Sequence, residues 1–123
     1  MALETLRGIN TIGGVGIAQF DGMPAEWDEQ ALKELAGKFI IIDHSINVVQ
    51  FQIQQGPIKE NGVNGCRVDH LIRVALEIIK AFNDKFPHEE NKRCLGFLSG
   101  AIGALENRKN ERQKRGVEGT SQA

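Results

Sequence analysis

Arginines 108, 112 and 115 recur at i, i+4 and i+7 in the run RKNERQKR, so on a helix their guanidiniums project from one face. Lys109 and Lys114 flank them, and Glu111 partly offsets the charge. Two readings of this run are open. It is a solvated helix end whose cations suit the negative end of the helix dipole. Or it is an anion site, because an arginine fork matches two phosphate oxygens at once. Directly after it, Gly116-Val117-Glu118-Gly119-Thr120 is a glycine-punctuated tail able to fold back over a ligand. Phe82, which ends an apolar stripe, has two uses open to it: stacking on a base, or filling the core.

Other constellations that suggest chemistry do not close. Asp43-His44-Ser45 holds the residue types of a hydrolytic triad, but adjacent side chains diverge and cannot form the relay; a hairpin turn is the simpler reading. Gly13-Gly14-Val15-Gly16 is followed by neither Gly-Lys-Ser/Thr nor a spaced third glycine. It is therefore neither a phosphate loop nor a dinucleotide fingerprint, and reads as a bent strand. His44, His70 and His88 lie far apart with no partner at ligand spacing, so no metal site is expected. Glu89-Glu90 pairs two carboxylates, yet a helix N-terminus accounts for both. The expectation is a protein that is not an enzyme and carries no cofactor.

The elements that must position these residues are legible in outline. The chain has 123 residues, 41% hydrophobic and 25% charged, which is the size and balance of one ordinary globular domain. Its net charge of −1 excludes a uniformly basic nucleic-acid binder but not a local patch, since residues 1–60 sum to −4 and residues 61–123 to +3. GINTIGGVGIAQFDG alternates short apolar runs with glycine, as interrupted strands do. PAEWDEQALKELAGK predicts a helix from about 25 to 36, with Trp27, Leu32 and Leu35 as its apolar stripe. KFIIID and INVVQFQIQQG read as a hairpin turning at His44-Ser45, the second run alternating Val49, Phe51 and Ile53 against Val48, Gln50, Gln52 and Gln54. GPIKENGVNG is a punctuated loop.

From Val68 the period becomes helical, with Val68, Leu71, Ile72, Ala75, Ile78, Ile79 and Phe82 on one stripe. Asp84 to Pro87 breaks it, and a second helix runs from His88 to its stop at Gly116. The fold class is α+β in a single domain, 1–123. A small N-terminal antiparallel β-sheet with one helix occupies 1–66, an antiparallel helical hairpin 67–116, and a tail 117–123. Cys66 and Cys94 read as reduced thiols, no signal-peptide run opens the chain, and Phe39–Ile42 is far too short to span a bilayer. The expected compartment is the cytosol.

Two features of the second helix point beyond one chain. Gly96, Gly100 and Gly103 share a face, at roughly 1 kcal/mol each relative to alanine. Close helix contact, within the hairpin or between subunits, would explain them; mere tolerance is the alternative. Asn91 and Arg108 stand 17 residues apart, roughly 25 Å along a helix. A nucleotide-sized ligand touching both must be shared between antiparallel copies.

The segment FPHEEN, the helix after it and the ending ENRKNERQKRGVEGT resemble the hairpin domain shared by phage anti-CBASS and Thoeris anti-defence signal-sponge proteins. Upstream, QFQIQQGPIKENGVNGC resembles the Thoeris anti-defence branch specifically. The resemblance spans roughly residues 46–120, and the first 45 are placed by continuity. It implies a non-catalytic protein of the host bacterial cytosol that sequesters cyclic nucleotide signals of bacterial immunity. Those signals are glycocyclic ADP-ribose isomers from TIR-domain proteins and, in several members, cyclic di- or trinucleotides. The implied assembly is a homo-oligomer, typically a hexamer, with ligands at subunit interfaces. By position, Phe82 would stack on adenine, Asn91 would make polar contacts, and Arg108 and Arg112 would hold the phosphates. Thr120 and the neighbouring glycine backbone would close the pocket, while Lys59 and Asn64 are candidates for a second nucleotide pocket. Two departures stand out: Glu89 occupies a position where many members have arginine, and LGFLSGAIGAL replaces acidic and bulky residues. The rival reading is a small nucleic-acid-binding module using the basic helix end. The small basic excess and the absence of tyrosine argue against it.

Overall fold

A computed structural model of the chain describes residues 2–123. After a short 3-10 helix, Ala2–Leu6, strands β1 (Thr11–Ile12) and β2 (Val15–Phe20) pair antiparallel. Gly13 and Gly14 join them with φ of 59° and 85°, the left-handed pair that a two-residue hairpin turn requires. The expected bent strand is thus two strands and a turn. Helix α1 (Glu29–Ala36) then carries the chain across to β3 (Phe39–Asp43), which runs parallel to β2; β4 (Val48–Gln50) returns antiparallel to β3. The sheet order is β1-β2-β3-β4, and the sheet is mixed rather than wholly antiparallel as expected. A helical crossover brings the chain back to its starting end, which makes the flanking strands parallel.

Helix α1 begins about four residues later than the sequence suggests. The Asp28 side chain accepts a hydrogen bond from the Ala31 amide at 2.8 Å and so caps the helix there. Trp27 stays outside and meets the Phe20 ring edge-on, centroids 5.1 Å apart. Strand β3 is central, and Ile40, Ile41 and Ile42 are all fully buried. Ile40 and Ile42 join Leu3, Leu6, Ile12, Cys66 and Val74 in one core, against which Ile9, Val15, Ile17, Val49, Phe51 and Ile78 pack.

Strand β4 is shorter than its alternation implies. Beyond Gln50 there is only a bridge between Ile53 and Cys66, and Ile53 is 61% exposed. The glutamines instead hold the next loop. Gln52 donates to the Asn64 carbonyl, and Gln54 donates to Gly62 O at 2.9 Å while accepting from Asn64 N at 2.9 Å. Within that loop lies a single helical turn, α2 (Ile58–Asn61), not foreseen from the punctuation.

Helices α3 (Val68–Lys85) and α4 (Glu89–Lys114) pack as the expected hairpin. His88 caps α4 by accepting from Glu90 N at 3.0 Å, and Gly116 ends it with φ of 72°. The deepest residues of α3 are His70 and Val74, whereas the stripe ends Val68 and Phe82 are exposed. His70 is buried because both ring nitrogens are used: Nδ1 accepts from Arg67 N at 3.0 Å, and Nε2 faces Gly13 O at 3.3 Å. A side chain at Gly96, Gly100 or Gly103 would meet nothing within 4 Å, so the glycine face points away from α3. Cys66 is buried and Cys94 half-buried, and neither is in a disulfide among the described residues.

Candidate functional site

Antiparallel packing sets the start of α3 beside the end of α4. Between them lies a cleft of about 210 Å³ lined by Arg67, Val68, Asp69, Ile102, Leu105, Glu106, Arg108, Lys109 and Glu118. Ile102 and Leu105 supply its apolar wall. Asp69 is held by Arg67 at 3.1 Å and Arg73 at 3.4 Å, and these guanidiniums keep its carboxyl below the usual carboxylate range against the opposing effect of burial. Among the described residues, the Arg108 and Lys109 side chains form no ion pair or hydrogen bond. Their charges are uncommitted.

Arg112 is different. It is only 7% exposed, and four of its donor contacts go to the tail: Nε to Glu118 Oε2 at 3.1 Å, Nη1 to Gln122 O at 2.7 Å, and Nη2 to Val117 O at 3.0 Å and Thr120 O at 3.1 Å. Arg115 is tied to Glu111 and donates to Ala123 O at 2.7 Å. The three arginines therefore do not present a common open fork, because the tail folds onto two of them. Of the basic run, Arg108, Lys109 and Lys114 remain uncommitted among the described residues.

The tail is also fastened to the loop around α2. Lys59 N donates to Gly119 O at 2.8 Å, and Ser121 Oγ donates to Glu60 Oε1 at 3.1 Å. The Lys59 stem lies over Gly119, and Lys59 lines a shallow depression with Gln113, Gly116 and Glu118. Thr120 donates its hydroxyl to Val117 O at 2.5 Å. Asn64 spends its amide on Gln55, donating to the carbonyl at 2.9 Å and accepting from the amide at 2.8 Å. The structure thus gathers Arg108, Arg112, Thr120 and Lys59 at one end of the hairpin, while Asn64 braces the loop.

Phe82 and Asn91 stand at the other end. Phe82 is 43% exposed, so it is not a core residue, and Asn91 Nδ2 donates to Phe86 O at 3.2 Å across the hairpin turn. Helix α4 is unbroken between Asn91 and Arg108, which keeps them roughly 25 Å apart. Sequence reasoning missed Arg67, Val68, Ile102 and Leu105 as cleft residues. The register of an antiparallel hairpin, with a turn at 86–88, was the available signal: it sets residue 68 beside residues near 105.

The Asp43-His44-Ser45 cluster is a turn. Asp43 Oδ1 accepts from Ser45 Oγ at 2.6 Å, Ser45 N at 2.9 Å and Gly22 N at 3.1 Å, which holds the carboxyl below its ordinary range. His44 Nε2 faces Gln19 Oε1 at 2.7 Å. The Gln19 amide nitrogen donates to Leu6 O and Ile9 O, so its oxygen accepts and His44 carries its proton on Nε2. Among the described residues, no group of three His, Cys, Asp or Glu is poised to hold a metal, and no helix is long and apolar enough to cross a membrane.

No family model matches the chain. It is 36% identical over 90 residues to a protein named Thoeris anti-defense 1 from Bacillus phage SBSphiJ7. The aligned part covers 72% of this chain and 57% of that protein, so the chain spans little more than half its relative's length.

Proposed function

The chain belongs to a Thoeris anti-defence family, and on that premise we propose that it is a phage counter-defence protein acting in the host bacterial cytosol. It binds a cyclic nucleotide immune signal and withholds it without degrading it. Glycocyclic ADP-ribose is the first ligand to expect, with cyclic di- or trinucleotides as further ones. The observation that carries this reading is the pair of uncommitted cations, Arg108 and Lys109, beside the apolar wall of Ile102 and Leu105. Phosphates need the first and a nucleoside the second.

The site is shared between copies in this reading. One chain offers a cleft of about 210 Å³, below the roughly 300–1,000 Å³ of small-molecule pockets. A second chain, its α4 antiparallel to the first, supplies the missing wall and brings its Phe82 and Asn91 to the first copy's Arg108 and Thr120. The open glycine face of α4 allows such an approach. Phe82 then stacks on the adenine, Asn91 makes polar contacts, Arg108 engages the phosphates, and Thr120 closes the tail over them. Lys59, whose ammonium is uncommitted among the described residues, is the better of the two residues proposed for a second pocket, and a hexamer is the expected assembly. A nucleic-acid module is the poorer account, because burial of Arg112 and pairing of Arg115 shrink the basic stripe.

Calorimetry with glycocyclic ADP-ribose, followed by heat release and chromatography of the ligand, tests the reading. Tight binding with intact ligand recovered supports a sponge. Altered ligand means an enzyme, and no binding to this ligand or to cyclic oligonucleotides removes the proposal.

A further inference from the structure

Arg112 is among the few charged side chains that the fold buries. A guanidinium loses much hydration on burial and must be repaid by directed hydrogen bonds. Here the partners are named: one carboxylate and three backbone carbonyls, all within residues 117–122. Three carbonyls at different points of an irregular segment define where that segment lies. The amides of Val117 and Thr120 complete the turn, bonding to Arg112 O at 3.0 Å and Val117 O at 3.1 Å. Through Gly119 O the same segment fixes the amide of Lys59.

We propose that Arg112 is a positioning residue of the ligand site: it sets the 117–122 segment, and with it Thr120 and Lys59, and does not itself hold phosphate. The ligand part of this inference rests on the function proposed above. A phosphate could replace the Glu118 carboxylate at Nε, but a two-point hold on the guanidinium would also take an Nη2 hydrogen from Val117 O or Thr120 O. Arg108, exposed and uncommitted, has no such obstacle. Lysine separates the two roles. It keeps the charge that a phosphate needs, yet lacks the planar fork that reaches several carbonyls at once.

The test uses the 123-residue chain with Arg112→Ala, Arg112→Lys and Arg108→Lys. Hydrogen exchange without ligand reads the clamp alone. In both Arg112 variants the amides of Val117, Thr120 and Lys59 should exchange about tenfold faster or more, while those inside α4 and β3 stay protected and report an intact fold. Calorimetry with glycocyclic ADP-ribose reads the site. Arg112→Lys should weaken binding as much as Arg112→Ala, about tenfold or more, whereas Arg108→Lys keeps part of the affinity. Unchanged exchange at the three amides overturns the clamp. Near-wild-type binding by Arg112→Lys beside lost binding by Arg112→Ala points to a direct phosphate contact and overturns the positioning role. If the wild-type protein binds none of the ligand, the ligand-site role falls with the proposed function, while the exchange result still decides the clamp.

Discussion

A charged side chain matters here according to whether its donors are already committed. Arg108 is exposed and uncommitted, so its replacement should disturb little of the fold, within about 0.5 kcal/mol as for most surface changes. Arg108→Ala and Asn91→Ala should each abolish detectable binding of glycocyclic ADP-ribose by calorimetry, with thermal unfolding unchanged for Arg108→Ala. Retained nanomolar affinity in both would remove the assignment. His70 has the opposite character. Its neutral ring caps α3 and reaches Gly13 O, and burial pulls its pKa below the ordinary 6.5. Below pH 6.5 the unfolded chain takes up a proton that the folded chain refuses. Stability is therefore full above that pH and declines as pH falls toward the folded-state value. Urea midpoints measured between about pH 5 and 8 should show this slope, and His70→Asn should remove most of it.

Among the elements, the loop between β4 and α3 is the most tightly specified by backbone contact. A Cβ on Gly65 would lie 2.5 Å from Gln52 O and 2.6 Å from the Ile53 carbonyl carbon, neither of which can swing aside. Gly65→Ala should cost about 1–3 kcal/mol, the range for forced overpacking, visible as a lower denaturant midpoint with an unchanged slope. The glycines of α4 differ, because space surrounds each of them in the single chain. Their helix-propensity cost of about 1 kcal/mol apiece has no return inside the hairpin, which is why a second copy is the natural place to seek one. Of the candidate site, the sequence made legible the helix that carries Asn91 and Arg108 and the tail that follows it. It could not show the burial of Arg112, because the carbonyls that receive it are brought near only when the tail folds back.

For the whole molecule, the proposed function requires that no single chain complete the site. Mixing Asn91→Ala and Arg108→Ala proteins, then exchanging subunits, should restore part of the ligand capacity, because some interfaces would pair an intact Asn91 with an intact Arg108. Calorimetric stoichiometry of the mixture checks this, and capacity no greater than in either variant alone counts against a shared site. The sheet and hairpin can act as one body in such an assembly. Val74 and Ile78 of α3 pack into the same core as Ile40 and Ile42 of β3, so the helices are not free to swing from the sheet.

What the sequence by itself determined were features that act within a few residues. They include the helical period of α3 and α4, the start at His88, the stop at Gly116, the β-hairpin of β3 and β4, and the separation of Asn91 from Arg108. Each depends on local backbone preference and spacing, which need no distant partner. Only the tertiary structure decided the rest. Parallel pairing of β2 with β3 depends on where α1 returns the chain, and the early end of β4 on glutamines turning to the loop. His70 is buried by a carbonyl 57 positions away, and Arg112 by a tail that reaches back over its helix. Hydrogen-bond donors and acceptors carry no address in the sequence. Their partners are chosen by the packing that brings them within about 3 Å.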